Sequence, residues 1–544
     1  MWLLYTLGEG LPDAAIREKD GFFRDMMVKL LQSSASSYPQ QAVQLLYLDT
    51  VVRFYRFFLV HTDYLPSVLW SFLDHRGLSN TNATVRARAS YLLLRFVKQT
   101  IKSANASFVD VATHLIDLLQ QQPPPLDELS APPSPSSSSS TGAPHAAPSR
   151  EGPALSASEQ LCLFETCGLL LGAGLAPADL VAEMAASLLA PPVRNLSRLC
   201  SLAAAPPPVA DERAAAAAQQ IAAVAVLSKG FTALGEEQRP LRDSFSRATQ
   251  LALAALGPYG DSRELRAKAL MLLHRMVETL DQRVVELFAP AVPQLLSSAE
   301  PREVEELVTL LNQLVLKFRG KIYTPLSRIV APLSAALFAH LAALDVAIAN
   351  SSSAAVAVSG PQSDEVRERQ GLLRSFYSFV HSLVHSELTA VLSAPEFSIH
   401  MAPSMQALAR GSIEGPDLQI QRQCFVTMQR LVEQWGGSDA GSFPGFNSYI
   451  LQEMLPLCFQ APAQAHFDLK DAASHQLLEA IASFQISMLT KLGSEFMSYM
   501  CEVQLPSLGA PAELVNEYAR ILAERDVYRL RDYLRQQLAA GRSL

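Results

Sequence analysis

The stretch that most restricts the fold is FLDHRGLSNTNATVRARASYLLLRFVK, residues 72–98. Two helical patterns meet there at a polar turn. Pro66, Leu69, Phe72 and Leu73 share one helix face; Asp74 and Gly77 end it; Val85, Arg86, Ala89, Leu92, Leu93 and Phe96 make the next. A pair of helices this short leaves an apolar face uncovered, so it must stack on further pairs.

The same order recurs. From Ile16 onward, helical segments of about fifteen residues alternate with short breaks such as Ser37 to Pro39, Asp63 to Pro66 and Arg76 to Asn82. With 544 residues, 49% of them hydrophobic, and a Leu- and Ala-rich composition with few aromatics, the chain reads as all-α. The helix, turn, Val-Arg-x-x-Ala order resembles a HEAT repeat, which predicts an α-solenoid of HEAT-like antiparallel helix pairs. Residues 120–157, almost all Pro, Ser, Ala and Gln, bury too little apolar area to offset the entropy of ordering, and are expected to be disordered. Expected domains are therefore repeats over 1–119, a disordered Pro/Ser-rich insert over 120–157, and repeats over 158–544. Shorter breaks at Ala203 to Arg213 and Ala349 to Ser363 read as long loops. Met1 opens directly on an apolar helical pattern, as expected of a cut through a longer array.

A formal charge of -8 excludes a globally basic nucleic-acid binder, so any RNA contact has to come from local stripes of Lys and Arg. Six widely spaced cysteines, Cys162, Cys167, Cys200, Cys424, Cys458 and Cys501, read as buried free thiols in a reducing compartment. No basic n-region opens the chain, so no secretory signal is expected. The charge-free run Ile329 to Leu344 reaches only about sixteen residues, short of a membrane span. A soluble protein with no membrane insertion is expected.

The best candidate surface lies on Thr84 to Lys102. At about 100° per residue, Arg88, Arg95, Lys98 and Lys102 fall within an arc of roughly 80°, opposite the apolar face. No acidic residue sits at i±4 on that stripe, and four cations on one line suit a track of phosphates. A second basic group, Lys317, Arg319 and Lys321, lies at a helix end marked by Gly320, where cations also satisfy the helix dipole. A third, Arg263, Arg266, Lys268 and Arg275, shares its helix with Glu264, which can pair with Lys268. Trp435, before Gly436, reads as a core residue at a helix end. Metal and catalytic readings find little support. Cys162 and Cys167 lack a second pair; His381 and His385, one turn apart, lack the glutamate of a metalloprotease helix; GLLLGAG, residues 168–174, lacks the Lys and Ser/Thr of a phosphate loop. No enzyme activity, metal or cofactor is expected.

Residues 72–98, LLNQLVLKF (310–318), CFVTMQRLVEQWGG (424–437), and LPLCFQAP with HFDLKDA (455–472) resemble the exportin-T family of tRNA exportins, importin-β-like karyopherins. The resemblance matches the C-terminal half of that family. It implies nuclear export of mature tRNA in complex with GTP-bound Ran, contact with nuclear pore proteins, a monomer, and shuttling between nucleus and cytoplasm. It also implies that the N-terminal half carrying much of the Ran contact has no counterpart here. In that reading the RNA-binding residues are Arg88, Arg95, Lys98, Lys102, Arg275, Lys317, Arg319 and Lys321. The rival reading is a HEAT-repeat protein-binding scaffold without RNA cargo.

Overall fold

A computed structural model describes residues 1–7, 10–103, 106–122, 154–202, 204, 206–354, 363–438 and 443–540. Every regular element among them is helical. We number the helices of nine or more residues in chain order. The first ten are α1 (Phe22–Gln32), α2 (Gln41–Arg53), α3 (Leu65–Leu73), α4 (Ala83–Thr100), α5 (Ser107–Gln120), α6 (Ala157–Gly172), α7 (Ala178–Ser201), α8 (Val209–Leu227), α9 (Arg239–Ala254) and α10 (Arg263–Thr279). Then come α11 (Pro301–Phe318), α12 (Tyr323–Ala354), α13 (Asp364–His385), α14 (Ser398–Gly411), α15 (Leu418–Trp435), α16 (Ala472–Leu492), α17 (Ala512–Ala523) and α18 (Val527–Ala539). They form two compact units, Met1–Ser298 and Ala299–Leu544.

Contacts between alternate helices define the architecture. In the first unit α2 packs on α4, α4 on α6, α6 on α8 and α8 on α10, while α3, α5, α7 and α9 stack in the same way as a second layer. In the second unit α11, α13, α15, α16 and α18 stack in sequence, with α12 and α14 beside them. Each helix thus buries a stripe against its pair-mate and another against the neighbouring pair, the all-α solenoid that the sequence predicts.

The turn between α3 and α4 shows how local chemistry sets a pair. Asp74 takes three hydrogen bonds from the Arg76 guanidinium, at 3.0, 3.0 and 2.7 Å, and Arg76 also donates to Ser36. The chain doubles back so tightly that Leu78 N–H donates to Phe72 O at 2.7 Å, and a Cβ on Gly77 would stand 2.1 Å from that oxygen. Asn82 caps α4 by accepting from Thr84 N–H. Arg86, the arginine of the Val-Arg-x-x-Ala pattern, donates to the carbonyls of Asn80 and Thr81, clamping the turn to the helix that follows.

Two predicted loops are partly helical. Pro208 precedes α8, and Asp211 and Glu212 lie in its first turn, where negative charge is favourable, so Val209 to Arg213 belong to the helix. Similarly α12 continues through Ala354, since no glycine or proline interrupts it after Pro332. Most of the predicted insert, residues 123–153, lies outside the described residues; its flanks are ordered, with α5 ending at Gln120 and a reciprocal Ser156–Glu159 capping box starting α6. α5 and α6 pack directly on each other.

The stretch Pro301–Asn350 contains a helical window long and apolar enough, by composition, to cross a membrane. In the fold 39% of this window is buried, and α12, which runs through the stretch, has one inward face. On α12, Leu326, Ile329, Val330, Leu333 and Leu337 are buried, while Arg328, Asp345 and Val346 are exposed, as on a helix that covers the stack with one face only.

The second basic group is also arranged differently from its sequence reading. Arg319, not Gly320, takes the positive φ (50°, ψ -137°) that ends α11, a conformation costly for any residue with a Cβ. Arg319→Gly is therefore expected to stabilise the second unit by about 1 kcal/mol, read as a raised urea midpoint with unchanged slope. An unchanged or lowered midpoint would show that the arginine's contacts outweigh the strain.

Of the six thiols, Cys167, Cys424 and Cys458 are buried as expected, but Cys162, Cys200 and Cys501 are only half-buried. All six are unpaired, and burial raises the pKa of each.

Candidate nucleic-acid interface

The apolar side of α4, with Val85, Ala89, Leu92, Leu93, Phe96 and Val97 buried, fixes what its other side presents. Arg88, Tyr91, Arg95 and Lys98 are exposed along it, with Lys102 on the short 3-10 turn Ile101–Ser103 beyond. Tyr91 is 43% exposed, and the guanidinium groups of Arg88 and Arg95 lie 5.6 and 5.9 Å from its ring centroid. The result is a ladder of two cations with an aromatic ring between them, spaced i, i+3, i+7.

Two of the four cations are tied to neighbouring helices of the same layer. Arg88 donates to Asp49 of α2 at 2.6 Å, and Lys98 pairs with Glu165 of α6 at 2.5 Å. Acidic partners are absent along α4 itself but are supplied across the layer. Arg95 and Lys102 have no ionic partner among the described residues.

Glu165 is the hub of this arrangement. Its side chain is 9% exposed and also accepts from Lys229, just beyond α8, at 2.7 Å. Burial alone would raise its pKa, but hydrogen bonds and charge from Lys229 and Lys98 outweigh that and leave it below the usual carboxylate value. A depressed folded value means that Glu165 contributes stability above the unfolded carboxylate pKa of about 4.3, lost as pH falls through the folded value. In urea melts between about pH 5 and pH 3, the wild type is expected to lose more stability than Glu165→Gln. Parallel losses would contradict the assignment.

The other predicted residues are not brought to this ladder. Arg275 lies on α10, the last helix of the same stacked layer, half-buried with its Nε enclosed and unbonded. Arg266, on the same helix, is turned inward and donates to Gly260 O at 2.8 Å. Lys317, Arg319 and Lys321 are exposed at the end of α11 in the second unit. Lys317 lies 5.4 Å from the Phe318 ring centroid. Sequence reasoning missed Tyr91, which belongs to the ladder, and Asp49, Glu165 and Lys229, whose pairing is visible only once α2, α4, α6 and α8 are stacked.

Metal ligation finds no cluster of three or more candidate ligands among the described residues. The His381 and His385 rings lie 3.9 Å apart, and the His381 pKa falls to about 4, through burial first and then the neighbouring imidazole. Trp435 is buried against Phe443 and Phe446, as a core residue should be.

A family model described as Exportin-T matches residues 2–542. The chain belongs to the exportin-T family. Its similarity extends across kingdoms: exportin-T of Homo sapiens and of Pongo abelii are each 30% identical over 98% of this chain and 52% of their own length. Exportin-T of Arabidopsis thaliana is 26% identical over 98% of this chain and 51% of its own. The chain thus spans about half the length of the curated relatives it matches. The exportin-T-like motifs fall at structural joints of the array: residues 72–98 form the α3–α4 turn with the basic ladder behind it, and 424–437 carry α15 into its Trp435 terminus.

Proposed function

We propose that this chain binds folded tRNA and serves in its export from the nucleus together with GTP-bound Ran, passing through the pore by contact with nuclear pore proteins. The Arg88–Tyr91–Arg95 ladder carries the reading. It is an exposed basic and aromatic line on one face of an otherwise acidic chain, in a family named for export. A-form RNA hides its bases in a deep, narrow groove, so such a face would read phosphates and 2′-hydroxyls, recognising shape rather than sequence. Arg88, Arg95, Lys98 and Lys102 are the first-unit contacts in this proposal, Arg275 an extension of it, and Lys317, Arg319 and Lys321 a separate phosphate contact of the second unit. Residues 120–157 are taken as an insert between repeats 1–119 and 158–544. The protein acts as a monomer, moves between nucleus and cytoplasm, and performs no catalysis.

Titration of labelled tRNA with the purified chain, alone and with GTP-bound Ran, tests the proposal. Saturable binding that outcompetes a DNA duplex of equal charge is expected at low salt. No saturable binding under either condition would favour the protein scaffold instead.

A further inference from the structure

The second unit carries a groove of different character. Among α15, α16 and α18, consecutive members of one stacked layer, lies a cavity of about 330 Å³ lined by Arg422, Gln429, Gln476, Glu479 and Tyr528. Tyr528 is 61% exposed, and the Arg531 guanidinium lies 5.2 Å from its ring centroid. Arg531 is held there by Asp532 at 2.9 Å and by Glu479 at 3.3 Å. Asp526 caps α18 by accepting from the Tyr528 and Arg529 N–H groups, which fixes the first turn from which Tyr528 projects.

Charge at this groove is balanced, two cations against Glu479 and Asp532, so it is unsuited to a run of phosphates. What it offers is one flat aromatic surface backed by a guanidinium plane, a carboxylate and two amides at its side, and a single cation, Arg422, with no ionic partner among the described residues. Those groups correspond to the parts of one nucleotide: a base face to stack, amino and imino groups for Glu479 and Gln476 to accept from, and one phosphate for Arg422. A base inside a duplex has no free face to offer, whereas an unpaired one does.

We propose that this groove holds a single unstacked nucleotide of the RNA cargo. The inference rests on the tRNA reading above and adds to it a site for an unpaired base, separate from the phosphate ladder on α4.

The test uses the full chain, a short single-stranded RNA and a blunt RNA duplex, with wild type, Tyr528→Ala and Tyr528→Phe. Tyr528→Ala is expected to weaken the single strand roughly tenfold or more, the effect of losing one stacked base, while Tyr528→Phe retains binding and the duplex is unaffected by either change. Because Tyr528 is exposed, neither change should alter folding, and matching urea midpoints check this. Single-strand affinity that survives Tyr528→Ala overturns the groove, and leaves the tRNA reading intact if tRNA still binds with its dependence on Arg95 and Lys102. Failure of the wild type to bind any RNA overturns both.

Discussion

Gly168→Val unfolds the first unit or costs it at least about 3 kcal/mol. Gly168 and Gly172 on α6 meet the end of α8 at backbone contact. A Cβ on Gly168 would stand 2.0 Å from Leu227 O, one on Gly172 1.9 Å from Gly230 O, and one on Gly230 1.7 Å from Gly168 O. No side chain can rotate away to make room, since the obstructing atoms are carbonyls of a second helix. Overpacking a core ordinarily costs about 1–3 kcal/mol. Here the two helices must separate, and α8 is itself buried along most of its length through small side chains, Ala214, Ala217, Ala218, Ala222 and Ala225 among them, whose close packing depends on that spacing. A matched control is Gly257→Ala, where the added methyl meets nothing within 4 Å. Urea melts in which both variants lose the same small amount would contradict the close-contact account.

Reversing two charges, Arg95→Glu with Lys102→Glu, lowers tRNA affinity about a hundredfold, taking each lost charge-assisted contact at about 1.5 kcal/mol. These two are chosen because neither has an ionic partner among the described residues. Reversing Lys98 would set a second carboxylate beside the enclosed Glu165, and reversing Arg88 would oppose Asp49, so those variants would report on folding as well as on RNA. The double variant should also flatten the dependence of log affinity on log salt by roughly 0.7–0.9 for each phosphate contact removed. Unaltered affinity and slope would remove the phosphate ladder from the account.

The stacked helix pairs were legible because their signals are local. Period-3.6 apolar faces, Asp74 and Gly77 at a helix end, and the polar break from Arg76 to Asn82 all act within one or two turns of chain. The amphipathic face of α4 was legible for the same reason. What it meets was not: Asp49 lies thirty-nine residues before Arg88, and Lys229 sixty-four after Glu165, so their pairing depends on which helices stack. The run GLLLGAG shows the same limit. Read alone, it is only a failed phosphate loop; Gly168 and Gly172 are explained by Leu227 and Gly230, which the fold brings against them, and Gly174 by its positive φ. Arg319 misled for a different reason, because the strained φ falls one residue before the glycine that would accommodate it.

The account depends on one face of alternate helices, α2, α4, α6 and their successors, receiving RNA. Photocrosslinking of thiouridine-substituted tRNA to the chain, followed by peptide mapping, tests this directly. Adducts are predicted on the α4 peptide at Tyr91 and its flanking residues. Adducts confined to α3, α5 and α7, the opposite layer, would contradict it.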